Sequence, residues 1–259
     1  MALAWAVQRA LGNAGWVDAI WSGVTGLLGV GFALIPLGPP IGARQIVIAA
    51  LTGLWGARLG IHIAMRSHGP AEDRRYAALR REWGGDFQRR MAVFLQIQAL
   101  AAWLLALSVL AAARNPAPFP RAIDVAGIAI AIVALLGESL ADAQLARFRA
   151  DPAQAGRICM RGLWAVSRHP NYFFEWLGWC AWPLLALGSG YPAGWLGFLA
   201  PLLMYALLVH GSGIPPLERQ MAARHGAAWD AYAARTRAFL PLPRFAAIPH
   251  PPTQPQDRR

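Results

Sequence analysis

Six long apolar stretches, separated by connections that are rich in arginine only in alternation, constrain this chain to a bundle of membrane-spanning helices. The stretches run from Trp16 to Ile35, Gln45 to Ala64, Met91 to Ala113, Ala122 to Ala141, Phe173 to Leu187 and Ala193 to His210. A spanning helix needs roughly 20 mostly apolar residues. All but the stretch from Phe173 to Leu187 meet that length or approach it. The expected fold class is all-α: a polytopic integral membrane bundle of about six transmembrane helices with cytoplasmic amphipathic helices.

Arginine placement orients the bundle. Arg66, Arg74, Arg75, Arg80, Arg81, Arg89 and Arg90 lie between the second and third stretches, and Arg147, Arg149, Arg157, Arg161 and Arg168 between the fourth and fifth. Arg219, Arg224, Arg235, Arg237, Arg244, Arg258 and Arg259 follow the sixth. The opposite connections carry only Arg44, then Arg114 and Arg121, then none. By the positive-inside rule both termini and the three basic segments face the cytoplasm, so the chain is expected as a multi-pass protein of a cytoplasmic or inner membrane.

Composition supports that class and narrows the partners. Of 259 residues 56% are hydrophobic and 14% charged, with mean hydropathy +0.36, against roughly 25% charged in a typical soluble domain. The net charge of +11 is divided among membrane-flanking segments and forms no single basic face. That division argues against nucleic acid and for membrane lipids or a phosphorylated cofactor. Cys159 and Cys180 have no metal-ligand spacing, no metal is expected, and a cytoplasmic setting disfavours a disulfide. The N-terminus lacks the pattern of a cleaved signal peptide, so the first span is expected to remain.

Short turns rich in glycine and proline, at Pro36 to Pro40, Asn115 to Pro120 and Gly188 to Pro192, close the outer connections. They predict one compact domain over residues 1–248. The tail over 249–259, with Pro251, Pro252 and Pro255, is expected to be disordered.

Polar side chains interrupt the apolar stretches at one depth. Arg58, His62 and Arg66 share a helical face in the second; Glu138 and Asp142 sit four apart in the fourth, beside Ser139 and Gln144; Glu175 begins the fifth and His210 ends the sixth. Ionised groups this deep are costly unless paired or wet, so they indicate a polar cavity opening to the cytoplasm. Structural pairing of Arg58 or Arg66 with Glu138, Asp142 or Glu175 is the competing explanation.

Two local segments carry more. In the run from Gly162 to Tyr172, Pro170 disfavours helix at His169 and suits the first helical turn, holding Arg168 and His169 at the mouth while Asn171, Tyr172 and Glu175 enter the membrane. An anion there would meet free backbone N–H groups, the positive helix end and a guanidinium; an interfacial anchor, with Arg168 on lipid phosphate and Trp164 and Tyr172 in the aromatic belt, is the alternative. After the last span, Gly211 and Gly213 allow a sharp exit, and Leu217 to Ala238 reads as an amphipathic helix along the membrane, carrying Glu218, Tyr232 and Arg235. The inner segment around Glu72, Asp73, Arg75 and Tyr76 reads as a surface helix with local ion pairs.

As an ordered set these motifs resemble the DUF1295 family, related to the C-terminal domain of steroid 5-alpha-reductases and, more distantly, to isoprenylcysteine carboxyl methyltransferases. The resemblance rests on Arg58-Leu59-Gly60-x-His62-x-x-x-Arg66, Glu138-x-x-x-Asp142-x-Gln144, Ser167-Arg168-His169-Pro170-Asn171-Tyr172-x-x-Glu175, Ser212-Gly213-x-Pro215-x-x-Glu218 and Tyr232-x-x-Arg235-Thr236. It implies a helical membrane reductase that takes NADPH from the cytoplasmic side and gives hydride to a carbon–carbon double bond conjugated to a carbonyl, in a lipidic or steroid-like substrate. Arg66, Asp142, Arg149, Arg168, Asn171, Tyr172, Arg235 and Arg237 are the implied cofactor positions, with His169, Glu218 and Tyr232 in the same motifs. His62, Glu138 and Glu175 are the candidates for the chemistry. Ile63 and Phe174 stand where steroid reductases carry tyrosine and where glycine is common, so the cofactor half of the resemblance is the fuller. An S-adenosylmethionine-dependent methyltransferase and a noncatalytic lipid-binding protein are the other expectations; a transporter is disfavoured because the polar groups gather at one side.

Overall fold

A computed structural model of the chain describes residues 1–37, 40–68 and 73–242. The expected turn at Gly38 and Pro39, the motif positions Gly69 and Glu72, and the tail from Pro249 lie outside the described residues. Within them the chain is helical: α1 Ala2–Leu11, α2 Trp16–Leu34, α3 Ala43–Ser67, α4 Arg74–Trp83, α5 Phe87–Ala113, α6 Ala122–Ala150, α7 Pro170–Trp179, α8 Ala181–Ala186, α9 Leu199–Tyr205, α10 Ile214–His225 and α11 Ala227–Arg235. Short 3₁₀ turns join several of them, and a π-helical turn, Ala206–His210, continues α9.

Five helical runs are long and apolar enough to cross a membrane: Trp16–Leu34, Ala43–Ser67, Arg75–Ala113, Ala122–Ala150 and Pro192–His225. The remaining apolar stretch forms α7 and α8, which meet at Cys180. Pro183 has no N–H to give the Trp179 carbonyl and its ring crowds that position, so one straight helix cannot run through. The expected helix from Leu217 to Ala238 is likewise two, α10 and α11, parted at Gly226, whose φ of 50° lies in the left-handed region. α1 has no counterpart among the expected apolar stretches; it lies on α5 through Trp5 Nε1 to the Gln88 carbonyl (3.3 Å) and Gln8 Nε2 to Gln88 Oε1 (2.8 Å).

Only 28% to 39% of each apolar window is buried within the chain. Leu27, Leu54, Ile61, Leu100, Leu136 and Leu202 project outward, each more than half exposed. Such a girdle is unfavourable in water and favourable against acyl chains, so the chain is a multi-pass membrane protein whose outer faces meet lipid. What holds the helices together is therefore close packing more than hydrophobic burial.

Small residues supply that packing. A Cβ on Gly26 would lie 2.8 Å from the Gly56 Cα, and one on Gly60 would lie 3.4 Å from the Ala19 carbonyl oxygen, so α2 and α3 touch backbone to backbone. Their seam adjoins a core of Ile48, Trp55, Leu105, Val109, Trp179, Trp182, Leu185 and Met204, drawn from α3, α5, α7, α8 and α9. A second cluster, including Val17, Tyr76, Phe87, Met91 and Leu95, fastens α4 and the start of α5 to the foot of α2.

The end of α3 remote from the polar motifs is tied by charge. Arg44 is 4% exposed and Asp124 is fully buried. The Arg44 guanidinium donates to both Asp124 oxygens (3.0 and 3.2 Å) and to the carbonyls of Leu185, Ala117 and Pro118 (3.0 to 3.3 Å). Arg121 adds two bonds of 2.9 Å to the same carboxylate.

Two stability outcomes follow. Gly26→Val forces α2 from α3 and is expected to cost about 1–3 kcal/mol, whereas Gly31→Ala, which meets nothing within 4 Å, leaves thermal unfolding in detergent unchanged. Asp124→Ala strands the Arg44 charge in the interior and is expected to cost about 3–5 kcal/mol, read in the same melting measurement.

Candidate functional site

Three helices bring their polar residues to one place. On α3, Trp55, Arg58 and His62 recur at i, i+3 and i+7; on α6, Glu138 and Asp142 stand four apart; on α7, Asn171, Glu175 and Trp179 do the same. The close approach of α6 and α7 is set by Gly137, because the Phe174 ring occupies the volume a Cβ there would need, and by Gly178, whose added Cβ would sit 3.4 Å from that of Ala134. The Phe174 side chain thus packs beside the Glu138 and Glu175 positions.

Arg58 is the hub. Its Nη1 lies 2.6 Å from Glu138 Oε1, off the line of a hydrogen bond; its Nη2 bonds Asp142 Oδ2, and its Nε donates to Ser139 Oγ at 3.2 Å. Asp142 also faces His62 Nε2 (3.4 Å) and accepts from Asn171 Nδ2 (3.4 Å). Glu175 takes one indole N–H on each oxygen, from Trp55 and from Trp179, both at 2.9 Å. Glu138, Asp142 and Glu175 are all buried, at 4%, 9% and 6% exposure. Structural pairing and a shared site thus coincide: the expected Arg58 contacts exist, and they assemble the cluster.

Around this cluster stands a rim of the other motif residues. Arg66, one turn beyond His62, has a 54% exposed side chain paired with the Asp73 carboxylate, 3.8 Å away. Arg149 is exposed at the end of α6 and lies within electrostatic reach of His62. Tyr172 stacks on the His169 ring (centroids 5.7 Å apart, planes 12°) and lies within reach of Arg66, Asp73 and Arg75. Asp18 anchors α4 beside it, accepting from Arg75 Nη2 (2.6 Å) and Tyr76 Oη (2.7 Å). Burial alone would raise the Asp73 carboxyl, but the Arg75 guanidinium and its hydrogen bonds prevail and hold that group below its ordinary range.

The segment before α7 is built as a clamp. α7 begins at Pro170 as expected, with His169 outside helical geometry at φ −136°. The backbone N–H groups of Arg168 and His169 donate to the carbonyls of Arg237 (2.8 Å) and Ala238 (3.1 Å), and Ser167 Oγ donates to the Phe239 carbonyl (2.9 Å). The expected free N–H groups are thus partly occupied by the chain's own C-terminal segment. Arg168 gives Nε to Glu218 Oε1 (2.7 Å) and Nη1 to the carbonyls of Ala233 (3.0 Å) and Thr236 (2.6 Å). His169 Nε2 contacts the same Glu218 oxygen at 3.2 Å, and the buried Tyr232 hydroxyl donates to the Trp164 carbonyl at 2.5 Å.

The sequence-derived set therefore divides. His62, Glu138, Asp142, Asn171 and Glu175 come together; Arg66, Arg149 and Tyr172 form the rim; Arg168, His169, Glu218 and Tyr232 close the clamp; Arg235 and Arg237 lie exposed on the clamped segment. Two surface clefts, of about 260 Å³ beside Arg147 and Arg161 and about 440 Å³ beside Arg89 and Arg90, lie elsewhere. Trp55 and Trp179 are the site residues the motifs did not single out. Their signal is positional: each falls one helical turn from a charged member, Trp55 before Arg58 and Trp179 after Glu175.

Burial holds the His169 imidazole below its ordinary pKa, outweighing the attraction of Glu218. An unfolded histidine takes a proton below about pH 6.5, while folded His169 resists it, so its contribution to stability is present above that pH and is lost on acidification. His169→Gln is expected to flatten the dependence of unfolding free energy on pH between about 7 and 5, measured by chemical denaturation in detergent.

No curated protein and no solved structure matches this chain. The family model described as protein of unknown function (DUF1295) matches residues 4–236, a span that contains α3, α6, α7 and the clamp through Arg235. By that match across nearly all of its length, the chain belongs to the DUF1295 family.

Proposed function

We propose that this protein is a membrane reductase that binds NADPH at its arginine-rich end and delivers hydride to the conjugated double bond of a lipidic or steroid-like enone. The observation that carries the reading is the three-carboxyl cluster of α6 and α7, held by Arg58 and Trp55 of α3, adjoining an apolar tryptophan-lined core and rimmed by exposed arginines. In this reading the basic end faces the cytoplasm, where a soluble dinucleotide is available, and the termini lie on the same side.

The residues present fit such a cofactor in part. Exposed Arg66, Arg149, Arg235 and Arg237 suit phosphate oxygens, and guanidinium groups offer paired donors for them. Arg168 suits them less, because Glu218 and two carbonyls already take its N–H groups. NADPH, when bound, supplies the hydride. Hydride addition at the β carbon leaves negative charge on the carbonyl oxygen, and a donor from the cluster stabilises it. Arg58 holds Asp142 and Glu138 in fixed positions, and an apolar substrate seated over the cluster would displace water, which strengthens every charged contact inside.

Purified protein in detergent is expected to show saturable binding of NADPH, read by the fluorescence of the reduced nicotinamide. Arg66→Ala and Arg149→Ala are each expected to weaken it roughly 10-fold to 100-fold, the loss of one charge-assisted hydrogen-bonded contact. S-adenosylmethionine binding in place of NADPH would redirect the assignment to methyl transfer, and binding of neither would leave a lipid-binding role.

A further inference from the structure

We propose that Glu138 and Glu175 share one proton, carried on Glu138 and directed at Glu175, and that this acid–carboxylate pair is the proton donor of the site. The clause on proton donation rests on the reductase reading; the shared proton does not. Three carboxyl groups, Glu138, Asp142 and Glu175, are buried together with one guanidinium, that of Arg58. Fully ionised, they leave two surplus negative charges when His62 is neutral and one when it is protonated, in a setting where even one unpaired charge costs several kcal/mol. Two carboxylates in contact do not both ionise.

The hydrogen-bond pattern assigns the proton. Asp142 accepts from Arg58 and Asn171 and faces His62 Nε2 at 3.4 Å. Glu175 receives an indole N–H on each oxygen, which suits an anion. Glu138 lies within side-chain hydrogen-bonding reach of Glu175, and no donor between them exists unless one of the two is an acid. With Glu138 as the acid, its hydroxyl donates to Glu175 while its other oxygen stays beside the Arg58 charge, 2.6 Å from Nη1. The juxtaposition is built by the Gly137 and Phe174 contact, which presses α6 and α7 together at this level.

In the reduction, bound NADPH would supply the hydride for the new C–H bond at the β carbon and would itself be oxidised. The O–H bond of Glu138 then breaks, its electron pair stays on the carboxylate, and its proton forms the C–H bond at the α carbon. Solvent returns a proton to the pair past His62 at the rim.

Infrared spectroscopy of the protein in lipid nanodiscs, without cofactor, tests the shared proton. A protonated-carboxyl C=O band, shifted by deuterium exchange, is expected at neutral pH. It is expected to move on carbon-13 labelling of glutamate and not of aspartate, and to vanish in both Glu138→Gln and Glu175→Gln. Should neither variant fold, the labelling of the natural protein decides. Absence of the band at neutral pH, a band that moves with aspartate labelling, or a band that persists in both variants overturns the proposal. A band that behaves as expected while NADPH fails to bind upholds the shared proton and removes the reductase reading alone; NADPH binding without the band does the reverse.

Discussion

Arg58 places a permanent positive charge among three helices, and the polar half of the structure is arranged around it. Its guanidinium fixes Glu138 and Asp142 on α6, and through Asp142 it reaches Asn171 on α7. Glu175 is reached from the other side by Trp55, which precedes Arg58 by one turn of α3. Removing Arg58 would leave buried carboxyl groups to protonate or to draw water in, because an interior of low dielectric does not tolerate them unpaired. The same residue therefore organises helix packing and the electrostatics of the candidate site.

The clamp explains why the C-terminal segment matters to a bundle it barely enters. Arg168, Ser167 and His169 hold residues 233–239 by backbone and side-chain bonds, and Glu218 on α10 completes the tie. The first residue of α7 follows at once. The depth at which Asn171 and Glu175 stand is thus coupled to where the clamped segment sits.

The spans and their polar interruptions were legible in the sequence because both depend on local pattern: apolar length, i and i+4 spacing, and proline at a helix start. The cluster of His62, Glu138, Asp142 and Glu175 followed from the cost of charge at one depth. The broken stretch at Cys180 and the division at Gly226 were less so, since a long apolar or amphipathic pattern outweighs one Pro183 or one glycine until the backbone bonds are traced. The engagement of Arg168 was also hidden. A guanidinium beside a helix start reads as an anion site, and only the fold reveals that Glu218, fifty residues on, is the anion that fills it. Arg44 and Asp124, eighty residues apart, were hidden for the same reason: nothing in either neighbourhood names the other.

The two ends of α3 are held differently and yet both firmly. Its first turn is locked by Arg44 into Asp124, its middle lies on α2 with glycine against glycine, and its far half carries Arg58 into α6. A helix so secured behaves as a fixed mast. The two short helices jointed at Cys180 lean on that mast at both ends, α7 through Glu175 on the Trp55 indole and α8 through the Leu185 carbonyl on Arg44, so neither can shift without breaking a bond to α3.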